Sequence, residues 1–267
     1  MLRLLSFLFL VSAFFSCLPE KTALERALRE AGDNRMELEK VLAYYRDDTL
    51  KYQAACFLIE NMPDQYAVLP LDSTDTYARA LLSLDKEDPV SWEISRSLVA
   101  AVFDSISKIQ PESRIKIVRD IEVMTSDYLI ENIESAFKVW NRRGVAKHYS
   151  FDDFCSYVLP YRVAHEPLSH WRRTALQRYG HWLDSLNAPQ DIARSIAMRY
   201  PVRYNAGMTK YPYIMSYEEM DSLQWGTCDD MTAFLTLSLR AIGIPAATDV
   251  VKAWANRSSA HCWNVVK

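Results

Sequence analysis

Apolar positions recur at helical spacing through the first two-thirds of the chain. Leu24, Ala27, Leu28 and Ala31 fall at i, i+3, i+4 and i+7, and Gly32 follows as a helix-ending glycine. Asn34 with Glu37 reads as a capping box, after which Leu38, Val41, Leu42 and Tyr45 repeat the spacing. A further helix is predicted from about Thr49 to Met62, stopped by Pro63. Leu129, Ile133, Phe137 and Trp140 line one face of another. Ser150 with Asp153 caps a segment burying Phe151, Phe154, Cys155 and Val158, ended by Pro160. Glu166 to Ser169 reads as a loop, with Ser169 capping the helix that follows. The pattern therefore predicts packed helices from Thr22 to about Tyr200.

The rhythm changes after Tyr200. Pro201, Gly207 and Pro212 punctuate a tyrosine-rich connection running through Tyr217. Then Met231, Leu235, Leu239 and Ile242 share one helical face, while Phe234, Leu237 and Ala241 form another. A helix apolar nearly all round is buried in a core. Gly243 gives it a left-handed end and Pro245 prevents its continuation. Ala247 to Trp254 and Ala260 to Lys267 read as strands of an antiparallel hairpin, joined by Ala255 to Ser259.

The expected fold class is α+β, in three stretches. Residues 1–16 form a signal segment, 17–200 a helical domain, and 201–267 a smaller mixed unit. With 267 residues, about half of them hydrophobic, the chain can bury a substantial core. A net charge of -3 without basic runs gives no sign of nucleic-acid binding. Six glycines, with neither GxGxxG nor GxxxxGK[ST], argue against phosphate-cradling loops. No cofactor is expected. Because no CxxC pair or His-x3-His spacing occurs, no metal site is expected either.

Arg3 and the apolar run from Leu4 to Phe15 have the length of a signal h-region, roughly 7–15 residues, and fall short of the roughly 20 that span a bilayer. The ending Ser16-Cys17 resembles a bacterial lipoprotein signal. That resemblance implies that Cys17 becomes the lipidated first residue, holding the protein to a membrane in the cell envelope. Ordinary signal cleavage, with Cys17 uninvolved, is the other reading. Cys56 and Cys155 sit on apolar helical faces and read as buried free thiols, with a disulfide between them as the alternative. His148, His165, His170 and His181 have no partner motif and read as surface or interhelical residues. Trp140, Trp171, Tyr179 and Trp182 read as helical core, with a sugar-stacking platform as the alternative.

The candidate chemistry lies near the end. Gly226-Thr227-Cys228 opens the buried helix, Arg240-Ala241-Ile242-Gly243-Ile244-Pro245 closes it, and His261-Cys262-Trp263-Asn264 follows on a strand. A cysteine at a helix N-terminus gains acidity from unpaired N–H groups and the helix dipole. A histidine beside it can pair with the thiolate and protonate a leaving group. Asp229 and Asp230 oppose the thiolate unless turned away or paired. The backbone N–H of Cys228 is a natural oxyanion donor, with Gln224 and Trp225 as candidates for the second.

From about Gln224 to Lys267 the motifs resemble the transglutaminase-like superfamily, whose papain-like fold carries a cysteine–histidine–aspartate site. The resemblance implies Cys228 as nucleophile, His261 as base, Trp263 packed beside the histidine, and Cys262 turned away by strand alternation. It further implies acyl transfer or amide hydrolysis through a cysteine thioester, on a protein or peptide substrate offering glutamine or another amide. The family's aspartate lies on the strand after the histidine strand. Lys267 ends the sequence six positions past His261, so an incomplete unit short of that residue is expected, with a reactive thiol but acyl transfer near background. A binding or scaffold lipoprotein with a vestigial site is the alternative.

Overall fold

The computed structural model describes residues 22–71, 76–83, 92–109, 115–142, 149–184, 188–212, 214–253 and 260–267. The signal segment, Cys17, His148 and the 255–259 turn lie outside them. Helices and small sheets are mixed along the chain, so the class is α+β.

The first helices are α1 (Ala23–Glu30), α2 (Arg35–Tyr44) and α3 (Thr49–Glu60). Gly32 has φ +53°, the left-handed turn its position predicts. The Asn34–Glu37 capping box does not form. Asn34 makes no cap bond. Its amide donates to the carbonyls of Ile121 and Met124, at 3.0 and 2.9 Å. Glu37 accepts from the N–H and hydroxyl of Ser126, at 2.8 and 2.7 Å. Both side chains serve a tertiary contact instead of a local one, which the spacing alone does not reveal.

The all-helical expectation up to Tyr200 also needs correction. Strand β1 (Tyr66–Pro70) pairs antiparallel with β2 (Ile115–Arg119), in register Tyr66 to Arg119. Helices α4 (Thr76–Leu82) and α5 (Trp92–Ile109) lie between them in sequence. Short apolar runs of this length do not distinguish strand from helix by periodicity. Here the β-branched Ile115, Ile117 and Val118 favour the strand.

After β2 come α6 (Asp120–Val123), α7 (Ser126–Trp140), α8 (Phe151–Tyr157), α9 (Trp171–Tyr179) and α10 (Pro189–Arg199). The Ser150–Asp153 box closes in both directions at the start of α8. Ser169 does not cap α9, whose N-cap position is His170, without a side-chain bond. The four candidate platform aromatics pack inward: Trp171 and Tyr179 are buried, and Trp140 and Trp182 are half-buried against the cores. His165 stacks on Tyr66 at 3.9 Å, and His170 lies 2.9 Å from Glu131. His181 lies beside Trp182, at 5.2 Å between ring centroids.

Among the described residues two hydrophobic cores result. One gathers Ala27, Leu38, Ile59, Ile121, Ile133 and Phe154 from α1–α3 and α6–α8. The other joins Leu81, Phe103, Trp171 and Ile196 to Phe234 and Ile244, so helices before position 200 pack with the elements after it. Those later elements are β3 (Arg203–Tyr204), α11 (Tyr217–Leu223), β4 (Trp225–Gly226), α12 (Cys228–Ala241), β5 (Ala246–Val251) and β6 (His261–Val266). Strands β3 and β4 form a short parallel bridge, and β5 and β6 form the expected antiparallel hairpin, in register Ala246 to Val266. The hairpin packs on α12, whose Phe234, Leu237 and Leu239 are wholly buried. Gly243 takes φ +80° at its end. None of the helices among the described residues is long and apolar enough to cross a membrane.

Candidate active site

The approach to Cys228 is a tight one. Helix α11 ends at Gln224 with φ +58°, the left-handed region that non-glycine residues enter at a cost of roughly 1–2 kcal/mol. This reversal leads directly into β4. The carbonyls of Gln224 and Gly226 accept from the N–H groups of Arg203 and Asn205, at 2.8 and 2.9 Å, fixing β4 against β3. Thr227 is then the N-cap of α12 in a closed capping box. Its N–H and hydroxyl both donate to Oδ2 of Asp230 at 2.7 Å. Asp230 is thereby turned back and occupied by the cap. Burial raises its pKa, while the bonds from Thr227 oppose that shift.

Cys228 occupies the first position of α12, half-buried, as the sequence predicts. It lines a cavity of about 360 Å³ with Tyr200, Met231, Leu235, His261 and Cys262. Tyr200 is held by a hydrogen bond from its hydroxyl to the Met231 carbonyl, and its ring meets Phe234 edge-on at 5.4 Å. Cys228 and His261 are thus brought to one cavity from two different elements. Trp263 shares the His261 face of β6, with the ring centroids 6.3 Å apart.

Cys262 is turned to the face opposite His261 and Trp263, as expected, and that face brings it beside Cys228. Strand alternation puts Cys262 and Asn264 on the face that meets α12. Asn264 donates to the Thr232 carbonyl and to Oγ1 of Thr236, at 2.9 and 2.8 Å. Cys262 is 3 % exposed, and its thiol donates to Oδ1 of Asp229 at 3.1 Å. The Oγ1 of Thr232 lies 3.3 Å from the same sulfur. The thiols of Cys228 and Cys262 and a carboxylate oxygen of Asp229 all lie within 4.8 Å of one another. Burial pushes the Cys262 thiol up to about 12, the Thr232 contact opposing and the Asp229 carboxylate reinforcing the shift. Asp229, unlike Asp230, points towards the sulfurs.

One signal in the sequence could have found this face. Thr232 and Thr236, four apart on a largely apolar helix, need polar partners when buried; Asn264, two residues after Cys262, donates to the Thr236 hydroxyl and to the Thr232 carbonyl. The tyrosines of the 200–204 segment that line the cavity carried no such mark. Cys56 and Cys155 remain free thiols, and burial raises both pKa values, Cys155 to about 12. Cys17 lies outside the described residues. Compared with protein-family models, curated proteins and solved structures, the chain finds no match.

Proposed function

We propose that this protein is an exported, lipid-anchored acyltransferase or amidase of transglutaminase-like type. Cys228 is its nucleophile and His261 its base. One observation carries the reading: Cys228 opens a capped, buried helix and shares a cavity wall with His261. The helix start supplies N–H groups and a dipole that favour the thiolate. The Cys228 N–H can receive the developing oxyanion. Attack on a glutamine or other amide carbon would form a thioester and release the amine, with His261 donating the proton. An amine or water would then take the acyl group. Tyr200, Met231 and Leu235 would face the substrate beside the scissile amide, which fits a protein or peptide side chain entering along an apolar wall. A papain-like arrangement of helix and hairpin is part of this proposal.

Alkylation with iodoacetamide near neutral pH, read site by site by mass spectrometry, tests it. Cys228 should react faster than Cys56 or Cys155. His261→Ala should slow Cys228 about tenfold, the factor for a thiol pKa displaced by about one unit. Cys228 reacting at the same rate in His261→Ala, with no Cys228-dependent release of ammonia from glutamine peptides, would sink the reading. For the anchor, fatty-acid labelling in a bacterial host should mark the protein, and Cys17→Ala should abolish the mark.

A second reading is favoured by Asp229, whose carboxylate beside the thiols works against a thiolate. A binding or scaffold lipoprotein would keep the cavity without turnover. Peptide binding retained in Cys228→Ala, with no acyl product from the wild type, is its signature.

A further inference from the structure

We propose that Cys228, Asp229 and Cys262 bind a thiophilic divalent cation of the zinc class, and that its occupancy withdraws Cys228 from reaction. The blocking role rests on the reading of Cys228 as nucleophile; the cation site itself does not.

Three potential ligand atoms, two sulfurs and one carboxylate oxygen, lie within 4.8 Å of one another. Around a tetrahedral zinc ion with Zn–S of about 2.3 Å, neighbouring sulfurs stand roughly 3.8 Å apart, so small side-chain adjustments suffice. Two thiolates select for zinc or cadmium over magnesium or calcium, which require oxygen donors.

The frame holding these atoms is fixed from both sides. The capping box of Thr227 and Asp230 sets the first turn of α12. Asn264 ties β6 to Thr232 and Thr236 of the same helix. The Thr232 hydroxyl, 3.3 Å from the Cys262 sulfur, supplies an outer contact of the kind that orients metal ligands. The trio also contains three groups that are anionic when deprotonated and none that is cationic. A divalent ion would remove their mutual repulsion. The cavity in front of Cys228 leaves room for a fourth ligand, water or a substrate carbonyl. No spacing rule reveals such a site, because its ligands come from two elements and two of them are adjacent in sequence.

Binding is a proton exchange without redox change. The ion takes two thiolates and one carboxylate, and each thiol that enters as S–H releases its proton to solvent. Cys228, once coordinated, has its lone pair on the metal and cannot attack a carbon.

The test uses the full chain, under a phosphine reductant that removes disulfides. Cd²⁺ titration should produce the ultraviolet thiolate-to-cadmium absorption of two sulfurs per ion, and Zn²⁺ should slow iodoacetamide alkylation of Cys228 at least tenfold. Cys262→Ser keeps a hydroxyl towards Asp229 and Thr232. It should halve the cadmium band and cut zinc protection to less than twofold, with thermal unfolding confirming that it folds. Asp229→Asn should weaken Zn²⁺ binding at least tenfold. No cadmium band, or undiminished protection in folded Cys262→Ser, overturns the site. His261→Ala separates the two readings, because its cadmium band should persist whether or not basal alkylation slows. Loss of the histidine effect alone removes the catalytic reading, and loss of the band alone removes the cation.

Discussion

At position 226 an added β-carbon would stand 2.7 Å from Cβ of Asp230, closer than real side chains approach. That carbon is fixed to the first turn of α12, so it cannot swing aside as a flexible tip would. Glycine is therefore needed for the close approach of β4 to α12. Gly226→Ala should push Asp230 out of the capping box and lower stability by about 1–3 kcal/mol, the usual cost of overpacking. It should also alter Cys228 alkylation more than an alanine elsewhere in β3 or β4 does. Urea unfolding and the same alkylation assay check both, and a variant as stable as wild type would show that β4 has slack. Two residues earlier, Gln224 holds its left-handed φ without glycine's freedom. Gln224→Gly should stabilise by up to about 1 kcal/mol, the strain relieved less the added entropy of the unfolded chain. No gain in the urea midpoint would contradict that.

Among the elements, α12 was the most legible, because its signals are local. A threonine cap, an acidic first turn, an apolar body and a Gly-Ile-Pro exit all lie within one stretch. Thr227→Ala should cost about 1 kcal/mol, the typical value of an N-cap, and should slow Cys228 alkylation as the first turn frays. The β5–β6 hairpin was legible for the same reason. What the sequence withheld was which hairpin face meets the helix. Alternation assigns His261 and Trp263 to one face and Cys262 and Asn264 to the other, but only tertiary packing chooses between them. The Asn34–Glu37 pair failed in the same way, with local chemistry taken over by a distant segment. There Lys40 and the Ser126 groups hold the Glu37 carboxyl at about 2, against 4.5 for an unperturbed one. A lowered pKa stabilises the fold above pH 4.5, and that contribution is lost as the pH falls towards 2. Glu37→Gln should flatten this part of an acid-unfolding curve followed by circular dichroism. An unchanged slope would mean that the contact carries no linkage.

Across the whole molecule, the two cores meet through buried arginines. Arg172 donates to Asn132, to the carbonyls of Val158 and Leu159 at the end of α8, and to that of Arg240 near the end of α12. Arg240 in turn donates to Ala246 and Arg162, and Arg162 pairs with Asp120 through two bonds of 2.7 and 2.6 Å. Arg240, which follows the apolar run of α12, is thus a structural link. Burial and the neighbouring Arg240 pull Arg172 down to about 9, which still leaves it charged at neutral pH. It meets the C-terminal ends of two helices, whose negative dipole ends favour a cation. Removing it would take the donor from Oδ1 of Asn132 and from the Val158 carbonyl, while the Leu159 and Arg240 carbonyls keep the Asn132 amide and the Gly243 N–H. Each lost bond to a buried acceptor costs about 1–3 kcal/mol. Arg172→Met keeps much of the volume and none of the donors. It should therefore lower stability by roughly 3–5 kcal/mol and loosen one core from the other. Calorimetry would then show two separated transitions, with α1–α3 and α6–α8 unfolding apart from the core around α12. Because Cys228, Cys262 and His261 all belong to the second of these units, alkylation of Cys228 should follow that unit's transition alone. A single transition in Arg172→Met, with Cys228 exposed at the same temperature as the first core, would mean that the cores are coupled by packing and that the arginines are incidental.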